Sequence, residues 1–166
     1  MWVVVTVVAL VVLCATYATS TAARVDRLHG RATAAYLALD AQSLRRAAVA
    51  EELGERQRIP EAQIAAKAVL TGRPDDRPAA ENELTRALRL AAVRLSTDPG
   101  DRDALAPMVE ESRRLALARQ VHTDLVRDAK AIRRRPLVRL LRLTRRHPEP
   151  VFFDIDDPAL GPGEAG

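Results

Sequence analysis

The hydrophobic pattern changes character at one point near the start of the chain. From Trp2 to Ala23 no side chain is charged, and the run WVVVTVVALVVLCATYATSTAA is dominated by Val, Leu and Ala. A single helix crosses the ~30 Å hydrocarbon layer with about 20 such residues, so this run predicts a transmembrane anchor. Trp2 and Tyr17 lie toward its two ends, where amphipathic rings suit the membrane interface. A cleaved signal is the competing reading. Ala18, Ser20 and Ala22 would suit a cleavage site, but the basic segment that normally precedes a signal's apolar core is missing. Cys14 follows Leu13, too bulky a neighbour for a lipidated cysteine, and as the single cysteine it forms no intrachain disulfide.

Beyond Arg24 the apolar positions recur at intervals of three and four. Val25, Leu28, Ala32, Ala35 and Leu39 make one stripe, which Leu37, Ala41, Leu44 and Ala48 widen, and the helix is expected to run unbroken to Leu53 and stop at Gly54. Gly30 weakens it locally without ending it. A shorter helix is predicted from Pro60 to Leu70 and, after the linker TGRPDDR, another from Pro78 to Leu95 with Leu84, Leu88, Ala91 and Leu95 on one face. Asp98-Pro99-Gly100-Asp101 reads as a turn. A long helix then begins between Asp103 and Pro107, carries Leu115, Ala118, Val121, Leu125, Ala129 and Ile132, and reaches Arg134. Pro136 interrupts it, since proline lacks the amide proton and clashes with the preceding turn. A last amphipathic helix covers 136–146, and the tail 147–166 is aperiodic and extended.

These elements predict an all-α protein in three parts: an anchor at 1–23, a bundle at 24–146 and an acidic tail at 147–166. The bundle is expected to be antiparallel, up-down and of four-helix type, packed in coiled-coil fashion with a seam of Leu39, Leu44, Leu84, Leu88, Leu115, Val121 and Leu125. Composition agrees. Trp2, Tyr17, Tyr36, Phe152 and Phe153 are all the aromatics, so a core must come from Ala, Leu and Val.

The net charge of +4 conceals a segregation. Residues 24–132 carry 19 basic and 17 acidic side chains, residues 133–146 carry seven Arg and no acid, and the tail carries five acids and no Lys or Arg. Arg133, Arg134, Arg135, Arg139, Arg142, Arg145 and Arg146 are therefore the candidate membrane-surface contact. An Arg-rich helix backed by Leu137, Leu140, Leu141 and Leu143 suits an anionic leaflet, each basic residue adding about 1 kcal/mol. The same leucines would equally suit the end of the bundle, with the arginines merely solvated.

In order along the chain, Asp40-Ala41-Gln42-Ser43-Leu44-Arg45-Arg46, Ala80-Glu81-Asn82-Glu83-Leu84, Ala118-Arg119-Gln120-Val121-His122-Thr123-Asp124-Leu125-Val126, Pro136 and Pro150-Val151-Phe152-Phe153-Asp154 follow an N-terminal span. In this order they resemble the LemA family of membrane-anchored bundle proteins. The resemblance implies a helical bundle without established enzymatic activity. It singles out Ala118, Arg119, His122, Thr123, Val126, Pro136 and Phe153 as family-like positions, although His122-Thr123 stands where the family has Tyr-Asn.

No catalytic constellation is legible. His29, His122 and His147 share no metal-ligand spacing, and Asp26 with His29 lacks the matching Glu-x-x-His of a carboxylate-bundle metal site. His122 with Asp124 and Asp128 reads as a helix surface shared with Arg119 and Arg127. The glycines punctuate helices and form no phosphate loop. The sequence thus implies a non-catalytic protein with no cofactor, metal or nucleic acid. Its expected partners are the lipid bilayer and other membrane or envelope proteins. Two functions compete, an adaptor or scaffold and a sensor of membrane state acting through the basic helix. Arg24, Arg27 and Arg31 flank the span on its C-terminal side, which places the amino terminus outside and the bundle in the cytoplasm.

Overall fold

A computed structural model describes residues 1–97, 99–140, 149 and 151–160. Among these residues five helices follow one another: α1 Trp2–Arg56, α2 Pro60–Thr71, α3 Arg77–Leu95, α4 Pro99–Arg133 and α5 Pro136–Leu140. Among the described residues there is no strand. Arg142, Arg145, Arg146 and the expected continuation of α5 to residue 146 lie outside the described residues.

The apolar run and the first stripe form one uninterrupted helix, as their pattern requires. Its N-terminal part is long and apolar enough to cross a membrane, and none of its most apolar window is buried against the protein. Thr6, Thr16 and Thr19 turn their hydroxyls back onto carbonyls of the preceding turn, at 3.0, 2.8 and 3.1 Å. Their polar atoms are thereby satisfied inside the helix.

The chain divides into two compact units. The first comprises Met1–Ala35 and Thr123–Phe152. Its packed residues are Val25, Ile132 and Val138, with Leu28 beside them, and Ala32, Val126 and Ala129, flanked by Leu28 and Leu125. Alanines on both helices let the backbones approach closely.

The second unit comprises Tyr36–His122 and Phe153–Gly166. Its main core draws Ala47, Ala50 and Leu53 from α1, Ile59, Ala62, Ala66 and Val69 from α2 and its approach, Leu84, Leu88, Ala91 and Leu95 from α3, and Leu105 and Met108 from α4. A second cluster joins Leu39 and Leu115 to Phe153 and Ile155 of the tail.

Several expected boundaries and faces shift. α1 runs past Gly54 to Arg56, and the helix ends in a Schellman motif. The amide of Ile59 donates to Gly54 O at 2.8 Å and that of Arg58 to Glu55 O at 3.4 Å, with Arg58 at φ 55° in the left-handed position usually given to glycine. Gly54 answers a different need. A Cβ there would lie 2.9 Å from the amide nitrogen of Gln63, so its absence lets α2 pass close. α4 starts at Pro99, ahead of the expected start, because that proline also fits a first turn. Pro107 is then inside the helix, tolerated on the exposed side where the carbonyl it leaves unpaired faces water.

The expected seam is half right. Leu39, Leu84, Leu88 and Leu115 are buried, whereas Leu44 and Leu125 are only half-buried and Val121 is exposed. On α4 Leu115, Ala129 and Ile132 face inward as expected, while His122 and Val126 are buried one residue beyond the expected Val121 and Leu125. On α1 the widening stripe fails, since Leu37, Ala41 and Ala48 are exposed.

Candidate binding site

The interior of the second unit is not wholly apolar. Ser43, Arg46, Glu81, Thr85 and Ser112 are each 0–1% exposed, and they meet. Arg46 of α1 forms an ion pair with Glu81 of α3. Its Nε donates to Ser112 Oγ on α4 at 3.1 Å and an Nη to Thr85 Oγ1 at 3.0 Å. Ser43 Oγ donates to the other oxygen of Glu81 at 2.6 Å. Burial pulls the Arg46 guanidinium below its ordinary value while the charge of Glu81 pushes it back up. A guanidinium begins so far above neutrality that it stays charged. Removing two such charges from water is costly, and only their mutual attraction with filled hydrogen bonds compensates.

Arg46 has one further partner, outside the helices. Its second Nη donates to the carbonyl oxygen of Pro158 at 3.3 Å. The tail segment 151–160 is held across the second unit as a strap from Phe153 onward. Phe153, Ile155 and Pro158 are buried, and Leu160 packs beside the main core. Arg89 donates to Asp157 O at 2.7 Å, and the amide of Asp156 donates to Asn82 Oδ1 at 2.7 Å. Bundle side chains thus grip the strap by its main chain, and apolar contacts take its side chains at 153, 155 and 158. Asp154, Asp156 and Asp157 face outward. The described part of the tail is irregular, as expected, and from Phe153 it is packed rather than free.

The floor under Phe153 contains one of the family-like positions. Tyr36 lies between His122 and Phe153, its ring centroid 6.0 Å from the imidazole and 5.9 Å edge-on from the phenyl ring. His122 is buried, and among the described residues its Nδ1 has no hydrogen-bond partner. Burial lowers its pKa from the ordinary 6.5, so the ring is neutral in a neutral solution. The expected surface grouping is therefore corrected for His122, which lies on the inward face of α4. Asp124 and Asp128 are exposed, and Asp124 pairs with Arg127 at 3.3 Å. Of the remaining family-like positions, Ala118, Arg119 and Thr123 are half-buried, Val126 is buried, Phe153 is under the strap and Pro136 opens α5 at the surface.

In the first unit the structure gathers some of the candidate arginines. Arg133, Arg134 and Arg139 line a cavity of about 320 Å³ together with Lys130 and Glu149. Lys130 lies 3.7 Å from Glu149 and 4.4 Å from the centre of the Phe152 ring. Arg135 is exposed and does not line the cavity. Among the described residues the lining is thus mostly basic, with the Lys130–Glu149 pair within it.

Sequence reading found the basic cluster and missed the polar node. Its signal was present: Ser43 and Arg46 fall on the inward stripe between Leu39 and Ala50, Glu81 and Thr85 on that of Leu84 and Leu88, and Ser112 between Met108 and Leu115. Among the described residues no three or more His, Cys, Asp or Glu converge as a metal site would require. Comparison with protein-family models, with curated proteins and with solved structures found no match to this chain.

Proposed function

We propose that this protein is a single-pass membrane anchor carrying an up-down helical bundle of LemA type, and that it holds other envelope proteins without transforming them. The observation that supports this reading most is the continuity of α1. Every large apolar side chain from Trp2 to Leu13 is exposed, an area far larger than the few hundred Å² of contiguous apolar surface a soluble monomer leaves in water. The same helix then supplies Leu39, Ala47, Ala50 and Leu53 to packed clusters, so one continuous helix carries both the lipid-suited segment and part of the second unit's core. The basic flank at Arg24, Arg27 and Arg31 orients it with the bundle in the cytoplasm.

Two apolar pairs support the holding role. Leu90 and Val93 on α3 are 70% and 72% exposed, and Leu117 with Val121 repeats the arrangement on α4. A photo-crosslinking residue placed at Val93 of the full chain, in native membranes, should give a few discrete adducts that Leu90→Glu removes. Adducts as frequent from the charged surface position Glu83 would speak for random collision and against an adaptor.

The basic cavity favours a second reading, in which the end of α4 and α5 contact anionic lipid. A fluorophore at Arg135, with the full chain in nanodiscs, should then shift its emission when anionic lipid replaces neutral lipid. Arg134→Glu with Arg139→Glu and added salt should each abolish the shift. An unchanged shift in that variant would remove the lipid-contact reading and leave the adaptor.

A further inference from the structure

The strap has the form of a bound peptide. It buries side chains at 153, 155 and 158 while bundle side chains from α1 and α3 capture its main chain at 156, 157 and 158. Main-chain capture accepts many sequences, and spaced apolar pockets select among them, the division of labour by which extended peptides are recognised. We propose that the strap fills a recognition groove for an extended peptide of a partner protein, with an aromatic residue, an aliphatic residue two positions on and a proline three further, and that it occludes this groove in cis. This deepens the adaptor reading and rests on it, since it names the class of partner held.

Two observations argue for an exchangeable occupant. The first is Arg46. Its guanidinium is wholly buried, and among the described residues one of its Nη groups is satisfied by the Pro158 carbonyl of the strap alone. Losing the strap leaves that donor without its acceptor, so the groove demands a replacement backbone carbonyl at that point, which another extended peptide supplies. The second is balance. The strap has no helix or sheet hydrogen bonds of its own, and three buried side chains with three gripping hydrogen bonds yield a gain of the same order as the entropy lost in ordering the segment. A segment near that balance exchanges with a competitor of equal chemistry.

The test uses the full chain in detergent and a fluorescent peptide with the sequence of residues 151–160. Phe153→Ala with Ile155→Ala, which weakens the strap and leaves the groove walls unaltered, should bind the peptide at least about tenfold more tightly than the wild type, because the competing internal ligand is gone. A peptide with Ala in place of the same Phe and Ile should not bind. Equal binding of the two peptides, or equal binding by wild type and variant, overturns the proposal. If circular dichroism shows the double variant unfolded, a lock decides instead. Asn82→Cys with Asp156→Cys in a Cys14→Ser background should bind peptide when reduced and lose that binding when oxidised; identical binding in both states overturns the exchange. Loss of peptide binding with the Val93 crosslinks retained would end this proposal and leave the adaptor reading intact, whereas loss of both would end both.

Discussion

Arg46 and Glu81 set the energetics of the second unit because neither can leave the other. Removing one partner strands a buried charge and costs about 3–5 kcal/mol, while replacing both with apolar residues of similar volume is often neutral or stabilising. Glu81→Ala is therefore expected to lower the melting temperature sharply, and Arg46→Met with Glu81→Leu to recover most of the loss; equal melting temperatures for the single and double variants would show that the pair is not coupled. Arg58 provides a contrast at the surface. It occupies a left-handed position that L-residues enter at a cost of roughly 1–2 kcal/mol, so Arg58→Gly should stabilise the chain in a denaturant titration by about 1 kcal/mol after glycine's own entropy cost. His122 makes stability depend on pH. Its folded pKa lies below the ordinary 6.5, so the native state binds fewer protons than the unfolded one as pH falls below that value. Stability should accordingly decline on acidification from about pH 7 toward 5, and His122→Gln should flatten that part of the melting-temperature profile. These four residues show where sequence reading stopped. Hydrophobic periodicity carries no mark for a charge at an inward position, and glycine preference pointed to Gly54 while the left-handed residue was Arg58.

At the scale of elements, the existence and order of the helices were legible because prolines and glycines punctuate them, and α2 and α3 fall within a residue of their expected limits. Faces were harder to read. In an Ala-rich helix several stripes satisfy the three-four spacing, and only the neighbouring helices select one, which is why Val121 and Leu37 point outward. Leucines two residues apart on α3 make the choice measurable. Leu88→Ala should cost about 2–5 kcal/mol through lost burial and the cavity left behind, whereas Leu90→Ala should change stability by less than about 0.5 kcal/mol. Comparable losses from both would place the faces of α3 wrongly. The tail was legible as extended and acidic but not as a strap, since its anchoring partners Asn82, Arg89 and Arg46 come from helices far away in sequence.

For the whole molecule, the apolar run and the basic flank were the strongest signals in the sequence, and the account stands or falls on them. The proposed orientation, read from the charge asymmetry across the span, puts the bundle in the cytoplasm, and it predicts that protease added to intact, wall-stripped cells leaves the bundle whole. The most direct measurement of the central claim is alkaline extraction of membranes containing the full chain. The wild type should remain in the pellet with its N-terminal residues present by mass spectrometry, and Val8→Arg with Leu10→Arg should move the chain into the supernatant, because a charge near mid-bilayer disfavours insertion by about 2.5–3.5 kcal/mol each. Recovery of the wild-type chain in the supernatant, or of a chain lacking the apolar run, would contradict the anchored rod on which the rest is built.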